Sequence, residues 1–96
     1  MSNIVELRAR IGDENGPIIT VKGREAWALD QLVQAGDRGC TPIDQPAPRW
    51  SHYVYLLRRD GVAVETITEN HGGSYSGHHA RYCLRTPVTV IGEVRA

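Results

Sequence analysis

The alternation of apolar and polar residues predicts two strands at the start of the chain. From Val5 to Ile11 every second residue is apolar and each residue between them is charged, which is the period of a half-buried strand. Residues 12–17 form a run typical of turns. Residues 18–21 are short and β-branched, as strand residues commonly are. The sequence therefore predicts an N-terminal β-hairpin.

Three segments after this hairpin have features of helices. Residues 24–36 and 49–60 each place apolar side chains at helical spacing. The first segment ends in Gly36 and the second is followed by Gly61, which are typical helix stops. These apolar side chains are Ala28, Leu29, Leu32 and Val33 in the first segment, and Trp50, Tyr53, Val54 and Leu57 in the last. Between the two, Thr41-Pro42 is a helix-start signal, a hydroxyl cap followed by proline. Pro46 limits this middle helix to a short one.

The last third of the chain predicts strands on either side of a glycine-rich loop. Residues 62–69 alternate imperfectly, and a β-bulge near Thr66 would reconcile their pattern. Residues 71–77 are the loop, and residues 79–85 alternate again. Residues 88–94 are expected to form a last extended edge.

Length and composition indicate one small globular domain. The chain has 96 residues, of which 41% are hydrophobic and 23% charged, as in an ordinary folded domain. No apolar stretch approaches the roughly 18 residues needed to cross a bilayer, and the start lacks the pattern of a signal peptide. Cys40 and Cys83 are too few and too far apart for a disulfide framework, so we expect buried free thiols and a cytoplasmic location.

The formal net charge of zero hides an asymmetry between the two halves of the chain. Residues 1–46 carry five basic and seven acidic side chains, whereas residues 47–96 carry six and four, together with all four histidines. Ten of the eleven basic residues are arginine, the side chain suited to forked contacts with phosphate and guanine. A local basic surface in the second half is therefore compatible with the overall balance.

Six stretches carry a resemblance to a known family. They are residues 23–29 (GREAWAL), 39–43 (GCTPI), 48–51 (PRWS), 57–61 (LRRDG), 65–66 (ET) and 77–82 (GHHARY). Across roughly residues 20–88 the chain resembles small bacterial and phage proteins described as winged helix domains. The order of the elements agrees with this resemblance.

The resemblance implies an α+β fold of the winged helix-turn-helix type. We expect three helices, a C-terminal β-hairpin wing and the additional N-terminal β-hairpin. The expected division is a hairpin extension over residues 1–22, a winged helix-turn-helix domain over 23–91 and a tail over 92–96.

The resemblance also makes helix 49–60 the recognition helix, whose first turn enters the major groove, and makes loop 71–77 the wing. The apolar stripe leaves the other helix side chains outward. We expect Arg49 and His52 to reach base edges, and neighbouring polar side chains to hold phosphates. The full set of expected DNA-binding residues is Arg49, Ser51, His52, Tyr55, Arg58, Arg59, Tyr75, His78 and Arg81.

A metal or catalytic site is the competing interpretation of the histidines. His71, His78, His79 and Cys83 are all possible zinc ligands. Neighbouring residues of a strand point to opposite faces, however, so His78 and His79 are poorly placed to share an ion. The sequence also shows no convergent acid–base or nucleophile set. We therefore expect no metal, no cofactor and no enzymatic activity.

The leading hypothesis is a DNA-binding transcriptional regulator or architectural factor of a bacterium, phage or mobile element. It would read duplex DNA with helix 49–60 and wing 71–79. The alternative is a protein–protein interaction module on the same scaffold, such as a phage-encoded inhibitor or adaptor, that does not bind DNA. The sequence leaves open a homodimer through the edge of the N-terminal hairpin, and also a protein partner. No membrane contact is expected.

The placement of four arginines discriminates between these hypotheses. If Arg49, Arg58, Arg59 and Arg81 lie together on one face, the DNA hypothesis gains. If they are scattered, or paired with acidic side chains, the protein-partner hypothesis gains. The acidic side chains concerned are Asp60, Glu65 and Glu69.

Overall fold

The computed structural model describes residues 3–72 and 77–96, apart from the side chain of His71. Two α-helices and five strands are found in these residues. They are β1 (Ile4–Ile11), β2 (Ile18–Lys22), α1 (Gly23–Ala35), α2 (Trp50–Arg59), β3 (Val64–His71), β4 (Gly77–Leu84) and β5 (Val88–Arg95). The strands form a three-stranded sheet of order β2-β1-β5 and a two-stranded sheet β3-β4.

The predicted N-terminal hairpin is present, but it is part of a larger sheet. β1 pairs with β2 on one side and with β5 on the other, antiparallel in both cases. Residues 92–95, expected to belong to a tail, continue β5 and pair with β1. This pairing satisfies the backbone groups that β1 would otherwise leave open on its second side. The sheet edges are consequently β2 and β5.

Helix α1 covers the inner face of this sheet, as its apolar stripe predicts. Ala28, Leu29 and Leu32 are completely buried, in one cluster with the inward side chains of β1. The helix ends at Gly36, whose φ of 58° is left-handed and whose N–H bonds to the Leu32 carbonyl. Glycine adopts this conformation without steric cost, which explains the stop.

The prediction of three helices is wrong, because the Thr41-Pro42 segment forms a single turn. The Thr41 hydroxyl accepts the Asp44 N–H at 3.0 Å, as a helix cap would, and the Gln45 N–H bonds to the Thr41 carbonyl at 2.9 Å. Propagation then stops at Pro46, which has no N–H to continue the ladder. The Thr41 cap is therefore present, but the prolines leave no room for a helix after it.

Helix α2 is held by an aromatic cluster. Trp50 is 2% exposed and stacks on Tyr82 of β4 with ring centroids 5.7 Å apart. Its ring centroid also lies 5.3 Å from that of Trp27 on α1. The indole N–H donates to the Gln45 carbonyl at 2.7 Å. Trp50 therefore joins α1, α2, the Thr41 turn and the β3-β4 hairpin at one point.

The β3-β4 hairpin has an unbroken register, so the expected bulge near Thr66 is absent. Thr66 lies opposite Tyr82, and Ile67 lies opposite Arg81 on the other face. Ile67 is half-buried there, so the imperfect alternation reflects a hairpin with apolar side chains on both faces. No extra residue is needed to explain it.

The two cysteines are free and buried, as the sequence predicts. Cys40 forms an isolated antiparallel bridge with Tyr82, which docks the segment after α1 onto β4. Burial is the main cause that raises the pKa of the Cys40 thiol to about 11. A thiol with such a pKa is not a nucleophile at neutral pH.

A buried carboxyl group lies where the start of α1 meets the end of α2. Glu25 is 9% exposed, and its Oε2 atom has no hydrogen-bond partner in the described part of the chain. Burial, followed by a hydrogen bond shared with the Asp60 carboxyl, raises the pKa of Glu25 from 4.5 to about 7. Arg59 acts in the opposite direction on Glu25.

This carboxyl makes the stability of the domain depend on pH. A group whose pKa is higher in the folded chain holds a proton that unfolding releases, so stability falls as the pH rises from 4.5 to about 7. We expect the Glu25→Gln variant to be more stable than the natural chain in urea unfolding at about pH 8 and to lose most of this advantage near pH 5. An equal advantage at both pH values would contradict the assignment.

Candidate nucleic-acid interface

Helix α2 presents its apolar stripe inward and a polar face to solvent. Trp50, Tyr53, Val54 and Leu57 are buried, as predicted. Tyr55 is 62% exposed and stacks with His52, their ring centroids being 6.3 Å apart with an interplanar angle of 17°. His52, Tyr55 and Arg59 recur at spacings of three and four residues, so they form one outward stripe. No residue of α2 is acidic.

Arg49 extends this stripe at the start of the helix. It is the residue that precedes α2 and is exposed. Among residues 3–72 and 77–96 its side chain has no hydrogen-bond or ion-pair partner. Ser51, in the first turn, is exposed as well. The start of α2 therefore presents an unpaired guanidinium and a hydroxyl to solvent.

Arg58 has a different environment from the one predicted for it. Its guanidinium donates to the Val64 carbonyl at 2.7 and 3.1 Å and to the Thr66 hydroxyl at 2.9 Å. It thus ties the last turn of α2 to the start of β3. Arg58 is exposed, and through its Nε and Nη2 donors it positions the helix against the hairpin.

We expect the Arg58→Ala variant to lose about 1–2 kcal/mol of stability, since its hydrogen bonds involve a charged donor. Arg59→Ala is the matched control, because the Arg59 side chain is 58% exposed and its ion pair with Asp60 is 3.4 Å long. The control should change stability by less than about 0.5 kcal/mol. Urea denaturation of both variants measures the difference, and equal midpoints would contradict the positioning role.

Arg81 is also engaged, on the face of β4 that carries His79. Its guanidinium bonds to Glu69 at 2.7 Å and to the Arg38 carbonyl at 2.8 Å. This guanidinium is the largest cause that holds the pKa of Glu69 below its usual value, and His79 contributes to the same shift. Arg81 therefore links the hairpin to the segment after α1.

The four diagnostic arginines, Arg49, Arg58, Arg59 and Arg81, do not share one environment. Arg49 and Arg59 lie along the outward stripe of α2, whereas Arg58 and Arg81 bond to neighbouring strands and loops. Arg59 also contacts Asp60, and on β4's far end Arg85 pairs with Glu65 at 2.7 Å. The predicted single cationic face is thus only partly assembled.

The histidines of β4 lie on opposite faces of the hairpin, as their adjacency predicts. His78 Nδ1 contacts the Asn70 side chain, and His79 Nε2 lies 2.9 Å from Glu69 Oε1. Tyr75, expected at the tip of the wing, lies outside the described residues, and so do the other positions between 73 and 76.

Three polar residues of β3 that sequence reasoning did not select share a hairpin face, and the first of them contacts α2. Thr66, Thr68 and Asn70 occupy the same hairpin face as Tyr82 and His78, and Thr66 touches Arg58. The period of two within β3 groups these residues. The tertiary contacts of Thr66 with Arg58 and of Tyr82 with Trp50 show that this face of the hairpin packs against α2.

Helix α1, helix α2 with its outward polar face and the β3-β4 hairpin follow one another in the order expected of a winged helix domain. A family model described as "Winged helix domain" matches residues 18–94. The chain therefore belongs to the winged helix domain family, which confirms the resemblance read from its sequence. The match includes β2 and most of β5. No curated protein and no solved structure gives a significant match.

In the described part of the chain, α1 and α2 are both too short to span a membrane.

Proposed function

We propose that this domain binds duplex DNA through the outward stripe of α2, as a regulator or architectural factor. The observation that carries the proposal is that α2 has no acidic residue, and that the exposed Arg49, Tyr55 and Arg59 and the half-buried His52 follow one stripe along it. The winged helix fold supports it, because DNA-binding regulators commonly use this kind of fold with the second amphipathic helix in the major groove.

Each side chain of the stripe has a proposed role that follows from its position. Arg49 and His52, at the start of α2, contact base edges. Tyr55 and Arg59, further along the helix, contact phosphates together with Ser51. Arg58 holds α2 against β3 through its bonds to Val64 and Thr66, so its first role in this proposal is to position the helix.

The β3-β4 hairpin supplies the second half of the proposed interface. His78 and Thr68 lie on the hairpin face that adjoins α2, where they are placed for sugar or phosphate contacts. The wing in this proposal is the segment 71–79, of which residues 73–76 lie outside the described part of the chain. Arg81 contributes indirectly, by bracing β4 against the Arg38 carbonyl.

Binding of this kind is expected to be modest and sensitive to salt. The chain has no net charge, so long-range attraction to DNA is small. With two cations on the stripe, Arg49 and Arg59, the affinity should fall by about 12-fold between about 50 and 200 mM salt. Fluorescence anisotropy with mixed-sequence duplex DNA measures this directly. Absence of binding at the lower salt concentration would overturn the proposal.

The protein-interaction module is the second candidate, and the ion pairs favour it. Arg81, Arg85 and Arg59 each contact an acidic side chain, which is the arrangement expected for a surface not built for phosphate. The DNA proposal is preferred because Arg49 has no acidic partner among the described residues and because the Arg59 side chain remains 58% exposed despite its contact with Asp60. A cytoplasmic, non-enzymatic role, a bacterial or phage origin, and a homodimer or a protein partner remain predictions.

A further inference from the structure

The edge formed by β5 exposes aliphatic side chains that a solvated edge does not require. Val90, Ile91 and Val94 are 38%, 44% and 50% exposed. Val5, the extra residue at a register shift in the neighbouring β1, is 41% exposed. An edge strand also carries unpaired backbone N–H and C=O groups, so a long apolar edge is a template for pairing with another strand.

The other strand edges of the described chain are protected in ways that β5 is not. β2 has only five residues and ends in Lys22, whose side chain is 75% exposed. The Arg58 guanidinium caps the Val64 carbonyl at the start of β3, and Cys40 bridges to Tyr82 on β4. Short length, lysine and coverage are the usual devices against edge pairing. β5 has eight residues and contains neither lysine nor proline, so its protection consists of the bulge at Ile91 and the charges of Glu93 and Arg95.

We propose that a second copy of this chain pairs with β5, antiparallel, so that two three-stranded sheets join edge to edge. Charge favours a second copy as the partner. β5 holds one Glu and one Arg, Glu93 and Arg95, which form an ion pair at 2.8 Å. When two copies are centred on Ile91, Val88 lies opposite Val94 and Thr89 opposite Glu93, so no like charges are directly opposed. The whole chain carries no net charge to repel its copy.

This dimer is weak and leaves the proposed DNA interface exposed. The register shift between β1 and β5 places Ile91 in a bulge, and a bulge twists an edge and shortens the pairing it can support. α2 packs against α1 and β3, whereas β5 pairs with β1. Two copies joined at β5 therefore present two separate α2 helices.

Sedimentation velocity without DNA, from about 1 µM to about 1 mM, covers the range expected for a small interface. We expect a concentration-dependent dimer, and Ile91→Lys should raise its dissociation constant by about tenfold or more, because the lysines of the two copies then lie directly opposite each other. Ile43→Lys is the matched control, since Ile43 is 57% exposed and lies far from the sheet edge in sequence. It should dimerise like the natural chain.

Two results would overturn the proposal: a monomer over the whole range, or an Ile91→Lys variant that dimerises as well as the Ile43→Lys control. If Ile91→Lys fails to fold, Val94→Lys tests the same edge. Amide hydrogen exchange gives an independent measurement, because pairing should slow exchange in β5 as the protein concentration rises. Since no step uses DNA, failure here leaves the DNA proposal intact, and failure of DNA binding leaves this proposal intact.

Discussion

The Arg49→Ala/Arg59→Ala double variant is expected to bind duplex DNA about 30-fold more weakly than the natural chain at low salt, or ~2 kcal/mol. Both side chains lie on the outward stripe of α2, and neither takes part in the buried cluster. Their loss removes contacts to DNA without disturbing the core. Anisotropy titrations at two salt concentrations give both the affinity and the salt slope, which should become shallower by about two.

The matched control for this experiment is the Arg8→Ala/Lys22→Ala double variant. Arg8 and Lys22 are exposed cations of the three-stranded sheet, so the control loses the same formal charge away from α2. It should retain nearly the natural affinity and slope. If control and test variants weaken binding equally, DNA attraction is a bulk charge effect and α2 is not the interface.

Trp50→Ala is expected to have the largest effect on stability, about 4 kcal/mol. The indole packs against Trp27, Tyr53 and Tyr82 and donates to the Gln45 carbonyl. Its removal leaves a cavity where four elements meet and leaves that carbonyl without its donor. Because small domains are stable by only about 5–15 kcal/mol, the variant should be close to unfolding at room temperature.

Urea unfolding followed by far-ultraviolet circular dichroism measures this loss. Ser51→Ala, the next position along the same helix, is the control, because Ser51 is exposed and its side chain makes no hydrogen bond within the described residues. It should change stability by less than about 0.5 kcal/mol. A Trp50→Ala variant that loses less than about 1 kcal/mol would mean that the aromatic cluster does not hold the two halves of the domain together.

Arg59, and not Arg58, is the arginine to combine with Arg49 in the DNA-binding experiment. A test that paired Arg49→Ala with Arg58→Ala would mix two effects, since Arg58 holds α2 on β3 through Val64 and Thr66. Loss of binding could then come from a displaced helix. The Arg59 side chain is 58% exposed, so its replacement removes a proposed DNA contact without displacing α2.

Local sequence patterns predicted the helices and strands well where one face of an element is buried. The stripe of Trp50, Tyr53, Val54 and Leu57 placed α2 to within a residue, because burial of one helix face imposes that spacing. The same argument placed β1 and β2. It failed at Thr41, where the local start signal is real but the following prolines allow only a single turn.

Sequence alone therefore determined the family, the order of the main elements and the outward face of α2, since each depends on neighbours within a few residues. Only the tertiary structure decided which cations remain available. Arg58 and Arg81 look equivalent to Arg49 in the sequence, but their partners Val64, Glu69 and the Arg38 carbonyl come from other elements.

Strand pairing in the three-stranded sheet was likewise not predictable from the sequence alone. Nothing in the local pattern indicates that β5 pairs with β1. This pairing covers one edge of the β1-β2 hairpin, and β5 becomes the edge of the three-stranded sheet. Strand pairing joins residues separated by most of the chain, and the periodicity of each strand is the same whichever neighbour it has.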